Sequence, residues 1–571
     1  MIKKYALGVL SILSYNVVIS QITFKDQASI FGIAESCGST FLGNGVSFYD
    51  FDQDGWDDIT LNSQDGDDLR FFKNINGNFV EQFLNIASVN HQTKQVNWVD
   101  IDNDGDKDLF VTSDTDGNKL FENTGNLVFQ DITSSSGMNT ANTFSYGASW
   151  GDYNNDGYLD VFISNRSLTI PNILYKNNGN NTFTNENSLA GISTAGHMSF
   201  CSAFLDINND GWQDIYVSND KNTYKNLLYK NNGDGTFTDI SMSSGTDVGI
   251  DAMSVTVGDF NNDSWQDIYV TNGVLGNVFF RNNGNETFTD IAGPTGTIFN
   301  SVGWGATFLD ADNDMDLDLY VSSEFDQSIT NFLNAAFYIN NNNGTFTLNN
   351  TSFPNDNRRS FSNALGDINN DGFGDLIVSN NNFENIFLWE NITSNTNNWL
   401  KVNLNGVQSN SDGIGSVIEI SINGDKQYRY THCGEGYLAQ NSGTEFFGLG
   451  SNSTVDYVKV KWLSGIEDTF YNVSSNQTLN VEEGSATLEI VDYNKDEKIS
   501  VFPNPVLSTL TVKTESIIEK IVVSNILGEE VLRISPKSLN SSVDLNHLTT
   551  GIYIVNIELE NTSRVMKIIK K

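Results

Sequence analysis

Short apolar runs recur along the chain, and seven of them directly follow an acidic nonapeptide, as IYVSN and LFVTS do. The nonapeptides begin at Asp50, Asp100, Asp152, Asp206, Asp259, Asp310 and Asp367, at intervals of 50, 52, 54, 53, 51 and 57 residues. A second pattern recurs in phase with them: NKLFENTGNLVFQDIT, NILYKNNGNNTFTNEN, NLLYKNNGDGTFTDIS and NVFFRNNGNETFTDIA. Each of these reads as two alternating strands around an Asn-Gly turn, a β-hairpin. One strand before the aspartates, one after, and the hairpin make four strands in about 50 residues, the size of a propeller blade. The fold class predicted is therefore all-β: a seven-bladed β-propeller, then a small β domain and a C-terminal β-sandwich. The seventh repeat stops at NIFLWENITSN without its last strand, whereas Ile22 to Gly32 matches that strand's phase with no repeat before it. The early segment is expected to pair near Ile386 and close the ring, which removes exposed strand edges; an open solenoid is the other architecture that such repeats allow.

The nonapeptides follow D-x-[DN]-x-D-G-x-x-D, with oxygen-bearing side chains at positions 1, 3, 5 and 9. The predicted ligands are Asp50, Asp52, Asp54 and Asp58; Asp100, Asp102, Asp104 and Asp108; Asp152, Asn154, Asp156 and Asp160; Asp206, Asn208, Asp210 and Asp214. The last three loops supply Asp259, Asn261, Asp263 and Asp267; Asp310, Asp312, Asp314 and Asp318; and Asp367, Asn369, Asp371 and Asp375. Four such oxygens and a backbone carbonyl at position 7 suit Ca²⁺, which takes six to eight oxygen ligands, better than Mg²⁺, which keeps its waters in a stricter octahedron. About seven structural calcium sites are expected, their binding coupled to folding because each metal-free loop crowds carboxylates together. Position 6 favours Gly at positive φ. Ser264 and Met315 stand there in loops five and six, so those two sites are expected to be weaker.

The formal net charge of -40 turns the chain away from nucleic acid and anionic membranes and towards cations. Met1 to about Ser20 carries Lys3 and Lys4 before a short apolar run and reads as a signal peptide, residues 1–20. No later segment has the length of a membrane span. Cys37, Cys201 and Cys433 are too few and too widely spaced for a disulfide scaffold or a thiolate metal site.

Residues 22–397 resemble the FG-GAP and VCBS repeats of integrin α-subunit propellers and bacterial surface proteins. Residues 398–484 resemble the ASPIC/UnbV domain through NWLKVNLNG, NSDGIGSVIEI, GEGYLAQNSGTEFFGLG and VDYVKVKWLSG. Together the two segments are similar to the cartilage acidic protein family. Residues 485–496 read as a linker despite VDYNKDEK, which begins there and has only half of a calcium loop. The charge balance then changes: residues 497–571 hold nine basic and eight acidic side chains. This stretch resembles the type IX secretion sorting domain of Bacteroidota through ISVFPNPVLSTLTV, IVVSNILGEEV, DLNHLTTGIYIVNI and MKIIKK. That resemblance implies the type IX machinery as a partner and a secreted or outer-membrane surface location.

Two functions follow as expectations. One is a surface or secreted adhesion protein that binds a glycan or protein; the other is a polysaccharide-acting hydrolase or lyase with its site on the propeller face. Binding is the favoured reading, because the phased acids are committed to metal and no G-x-S-x-G, HExxH or P-loop pattern occurs. His91, His197 and Arg358 share one repeat phase, nine residues before a loop, and mark where a shared site could lie. Trp56, Tyr158, Trp212, Trp265 and Phe373 recur at position 7, with packing or sugar stacking as their possible roles.

Overall fold

The structure is a computed structural model that describes residues 21–86, 89, 91–325, 332–486, 499–525, 529–559 and 563–571. The expected signal peptide and nearly all of the expected linker lie outside the described residues.

Seven four-stranded antiparallel sheets follow one another, at residues 46–82, 96–131, 145–185, 196–239, 256–290 and 303–348, with a seventh built from 360–391 and an early strand. The fourth shows the common plan: Gly196–Leu205, Asp214–Asn219, Leu227–Asn231 and Phe237–Asp239 pair in that order. The acidic nonapeptide joins the first two strands and the Asn-Gly turn joins the last two. Second strands such as Ile215, Tyr216 and Val217 are buried on both faces, which accounts for their unbroken apolar run. The third and fourth sheets also join at their ends, through Arg166 opposite Met198 and Pro171 opposite Gly196.

The early segment closes the array. Phe24–Asp26 pairs antiparallel with Phe387–Asn391, Phe24 opposite Asn391 and Asp26 opposite Trp389, so the seventh sheet gains the strand that its own repeat lacks. Phe24 stacks on Phe353 at 4.2 Å and fixes the strand from its side-chain face. Every junction between consecutive sheets is hydrogen-bonded near the inner strands. The last one, Ser379 Oγ donating to the Asn44 carbonyl at 2.7 Å, returns the seventh sheet to the first.

Residues 398–484 form two further sheets. Asn398–Asn405 lies between Glu445–Gly450 and Thr478–Glu482. Asp425–Tyr430, Val417–Ile422, Thr454–Lys461 and Glu467–Ser474 make the other. Leu400, Val402, Ile418, Phe447, Val458 and Trp462 belong to their common core. Between Tyr430 and Glu445 the chain leaves these sheets and enters the ring. Ala439–Gln440 adds a parallel strand to Val46–Phe48, Gly436 bridges to Val255, and Cys433 bridges to Trp150. Tyr437 is fully buried among Tyr146, Phe200, Trp304 and Phe361, and its hydroxyl donates to the Leu42 carbonyl at 2.7 Å. The described residues through Ser485 therefore form one compact unit, with the second β segment plugged into the centre of the first. Cys37, Cys201 and Cys433 are buried and unpaired within it.

The C-terminal unit is built on one long strand, Thr509–Asn525. Its first half lies between Ser500–Phe502 and Ser538–Asp544, and its second half between Glu530–Ile534 and Gly551–Leu559, which in turn pairs with Ser563–Lys570. Val512, Ile521, Val523, Val555 and Ile568 fill its core.

Replacing Tyr437 by Ala is expected to lower the unfolding free energy by about 3–5 kcal/mol, the range for large aromatic truncations. Tyr437→Phe loses one hydrogen bond and about 1 kcal/mol. Denaturant titration of both variants checks the packed hub, and equal small losses would contradict it.

Candidate metal loops

Each loop is organised by its first and ninth residues. The first carboxylate accepts the backbone N–H groups of positions 5 and 6, as Asp50 does from Asp54 at 3.1 Å and Gly55 at 2.8 Å, and the same pair recurs in all seven loops. The ninth carboxylate accepts from the hairpin asparagine of its own sheet, Asn231 N–H to Asp214 at 2.7 Å for example. Asp58, Asp108, Asp160, Asp214, Asp267, Asp318 and Asp375 are all buried, whereas the fifth-position acids are exposed. Each predicted ligand set thus lines a bend that has a buried floor and an open rim.

Position 6 has positive φ throughout, from +71° at Ser264 to +94° at Gly105, with Met315 at +86°. The strain expected at the two exceptions is present. At Met315 it is offset by packing, since the side chain lies against the core of residues 398–484.

Position 4, which the repeat pattern leaves open as x, has a role of its own. Gln53, Asn103, Asn155, Asn209, Asn262, Asn313 and Asn370 all have left-handed backbone, with φ between +53° and +60°. Their side-chain amides donate to the position-6 carbonyl of the next loop. Asn103 reaches Gly157 at 2.8 Å, Asn209 reaches Ser264 at 2.9 Å, and Asn370 closes the circle on Gly55 at 2.9 Å. Gln53 to Gly105, Asn155 to Gly211, Asn262 to Met315 and Asn313 to Gly372 complete the belt. A counter-running set links hairpin asparagines to the preceding loop, among them Asn177 to the Ile101 carbonyl at 2.7 Å and Asn391 to that of Ala311 at 2.8 Å.

The electrostatics of the loops call for a cation. Burial, reinforced by the neighbouring aspartates, pushes Asp58 up to about 9 and Asp108 up to about 8. Asp160, Asp214, Asp267, Asp318 and Asp375 are raised well above the usual carboxylate range for the same reason. A divalent ion reverses that penalty. Asp50, Asp52 and Asp58, Asp100, Asp102 and Asp108, and Asp310, Asp312 and Asp314 each bring three carboxylate oxygens within 4.8 Å of one another. In the other four loops an asparagine takes the third position. An all-oxygen donor set of carboxylates and amides matches calcium's preference. Ammonium groups already stand beside three loops: Lys73 contacts Asp52 and lies 2.9 Å from Asp54, Lys176 lies 3.2 Å from Asp156, and Lys401 lies 2.9 Å from Asp367.

The segment 398–484 covers this loop face. Ser411 Oγ donates to Asp100 at 2.6 Å, Ser442 Oγ to Asp57 at 2.8 Å, Tyr430 OH to the Ser264 carbonyl at 2.7 Å, and Gly450 N–H to the Asn313 carbonyl at 2.8 Å. Trp399 packs so closely on Gly372 that an added Cβ would lie 1.9 Å from its ring. None of these contacts is readable from the repeats.

The other candidates separate. His197 Nε2 lies 3.2 Å from Ser193 Oγ, and Arg358 donates to the carbonyls of Asn385 and Ile386 while covering the Phe387 ring at 3.9 Å. His91 sits beyond the second sheet's first strand with Nε2 buried. His197 and Arg358 thus serve their own sheets, whereas His91 Nε2 has no hydrogen-bond partner among the described residues. The position-7 aromatics are half-buried; Tyr158, Trp212 and Trp265 lie against Gly179, Gly233 and Gly284 of their own hairpin turns.

Asn209→Ala should cost about 1–2 kcal/mol, from the lost bond to Ser264 and the left-handed backbone that Ala tolerates poorly. Asn209→Gly should recover the backbone part only, and Ser264→Gly should gain up to about 1 kcal/mol. Thermal unfolding of the three variants checks this; an Ala variant as stable as the parent would remove the belt's energetic role.

Known proteins match in three regions. The family described as FG-GAP-like repeat covers residues 50–111, 100–163 and 206–270; ASPIC and UnbV covers 406–488; and the secretion system C-terminal sorting domain covers 500–571. The chain is 27% identical to cartilage acidic protein 1 of Homo sapiens over 308 residues, 51% of this chain and 44% of that protein. Against the Xenopus tropicalis protein the identity is 26% over 275 residues, 45% and 40% of the two chains. The chain thus spans less than half the length of these curated relatives. Among solved structures, the extracellular domain of a putative one component system from B. thetaiotaomicron aligns with 97% of this chain and 59% of its own, at 12% identity and a TM-score of 0.38. The sorting domain marks the chain for type IX export, to the cell surface or beyond it. Among the described residues no helix is long and apolar enough to cross a membrane. The chain is an all-β protein that carries FG-GAP-like repeats, an ASPIC and UnbV domain and a type IX C-terminal sorting domain, and it is similar to cartilage acidic protein 1.

Proposed function

We propose that the ring is a seven-bladed propeller whose loops bind calcium, and that the exported protein uses it as a rigid binding module for an extracellular glycan or protein rather than as an enzyme. In this reading residues 1–20 are the signal peptide, 22–397 the propeller, 398–484 its ASPIC/UnbV cap, 485–496 a linker and 497–571 the sorting domain. The observation that supports it most is the recurrence in every loop of a buried ninth carboxylate beneath a first carboxylate already held by two backbone N–H groups. Such a loop is shaped before the ion arrives, and the ion supplies the charge that burial demands. The 28 proposed ligand side chains are the ones read from the nonapeptides, positions 1, 3, 5 and 9 of each loop.

Calcium then acts on stability through mass action. A tenfold excess over the dissociation constant adds about 1.4 kcal/mol for each independent site. Because the cap rests on the same loops, metal release should loosen the cap as well as the ring.

Chelation is expected to lower the melting temperature of the full chain by many degrees, with restoration by calcium and less by magnesium. Equilibrium dialysis should show several retained calcium ions per chain, and Asp214→Asn should retain one fewer. An unchanged melting temperature together with no retained calcium would refute the metal reading. A glycan-array screen with a parallel reducing-sugar assay tests the binding role; reducing-sugar release by the calcium-loaded protein would replace it with catalysis.

A further inference from the structure

The plug that enters the ring creates a cavity that neither segment has alone. It encloses about 90 Å³ between the inner ends of the fifth to seventh sheets and residues 428–446. Phe308 and Leu365 give it apolar walls, and Arg429, His432, Glu435 and Glu445 face it from the plug. By volume it holds several waters or a molecule of a few heavy atoms, since a water needs roughly 10–15 Å³ measured in this way.

Two of its polar groups are left without partners inside the protein. Arg429 is 9% exposed; Nε donates to the Phe446 carbonyl at 3.0 Å and Nη1 to the Tyr428 carbonyl at 2.9 Å, while Nη2 is buried with no partner. The guanidinium is always charged, so this is a fixed cationic donor. His432 Nδ1 lies 3.0 Å from the Phe204 carbonyl, which can only accept, so Nδ1 carries the proton. Its Nε2, buried and unpartnered, is then a fixed acceptor. Burial pulls this imidazole down to about 4 and keeps it neutral.

A fixed cationic donor and a fixed neutral acceptor on one small cavity describe a complementary guest: an anionic oxygen for Arg429 and a hydroxyl for His432. A metal ion is disfavoured by the guanidinium. A dianion such as phosphate is disfavoured by Glu435 and Glu445 on the wall and by Asp259 and Asp310, which also face the cavity. A single carboxylate bearing a neighbouring hydroxyl meets both requirements at the least electrostatic cost. We propose that this cavity binds the carboxylate and adjacent hydroxyl of a free short hydroxy acid. Asp259 and Asp310 on its wall are also first-position ligands of loops five and six, so the site rests on the calcium reading to that extent, and retained calcium is measured alongside.

Glycolate is the probe, with acetate and ethylene glycol as controls that each lack one of its two groups. Calorimetry on the full chain is expected to show one glycolate per chain, with acetate and ethylene glycol each weaker by about tenfold or more. Arg429→Lys and His432→Phe should each weaken glycolate by about tenfold while calcium retention is unchanged. If either variant fails to fold, the unsubstituted chain still decides, because glycolate should raise its melting temperature more than acetate does at equal concentration. A disaccharide ending in glucuronate, which carries a ring oxygen in place of that hydroxyl, should not displace glycolate, and its displacement of glycolate would overturn the assignment to a short hydroxy acid. No glycolate binding by the folded chain, or equal binding by parent and both variants, overturns the proposal.

Discussion

The structure depends on a closed circle of side-chain amides. In each loop the fourth residue turns left-handed and hands its amide to the next loop's sixth carbonyl, and the seventh of these bonds, Asn370 to Gly55, spans 315 residues of sequence. Each bond contributes only about 1 kcal/mol net. Their effect is collective, because a shift of one sheet relative to its neighbour breaks a bond on each side of it, while the counter-running hairpin asparagines oppose the same shift from the other direction. The loops are thereby held at one spacing before any ligand is considered.

That spacing puts many carboxylates on one face of a chain whose net charge is -40. A free face of this kind would repel itself, and the protein answers in two ways. The ninth-position acids are buried, where a cation is the natural counterion. The second β segment then lays Lys401, Ser411, Tyr430 and Trp399 across the loop rims and sends Tyr437 into the hub. Ring and cap consequently share their stabilising contacts, so neither is expected to keep its geometry without the other.

The plug also decides where polar chemistry is found. Of the side chains that share a repeat phase, His197 and Arg358 serve their own sheets, through Ser193 and the Phe387 strand respectively. The unpartnered donor and acceptor that line one cavity belong to Arg429 and His432, on the segment outside the repeats. Duplication made seven equivalent positions, and a single inserted strand broke the equivalence by giving one sector of the hub a different lining.

By itself the sequence determined whatever local backbone geometry demands. Nonapeptide spacing placed the strand pairs that flank each loop, the Asn-Gly turns located the hairpins, the orphan phase of Ile22 to Gly32 announced the closing strand, and position 6 declared its positive φ even where Ser264 and Met315 replace glycine. These features are legible because a residue type at a fixed offset is the direct cause of the bend. Tertiary structure alone decided the partners of the position-4 amides, the covering of the loop face and the cavity at Arg429 and His432. Many such contacts join residues more than 300 positions apart, and an asparagine that bridges two loops has the same letter as one that caps a turn. Only closure of the ring and entry of the plug bring the paired atoms within hydrogen-bonding distance.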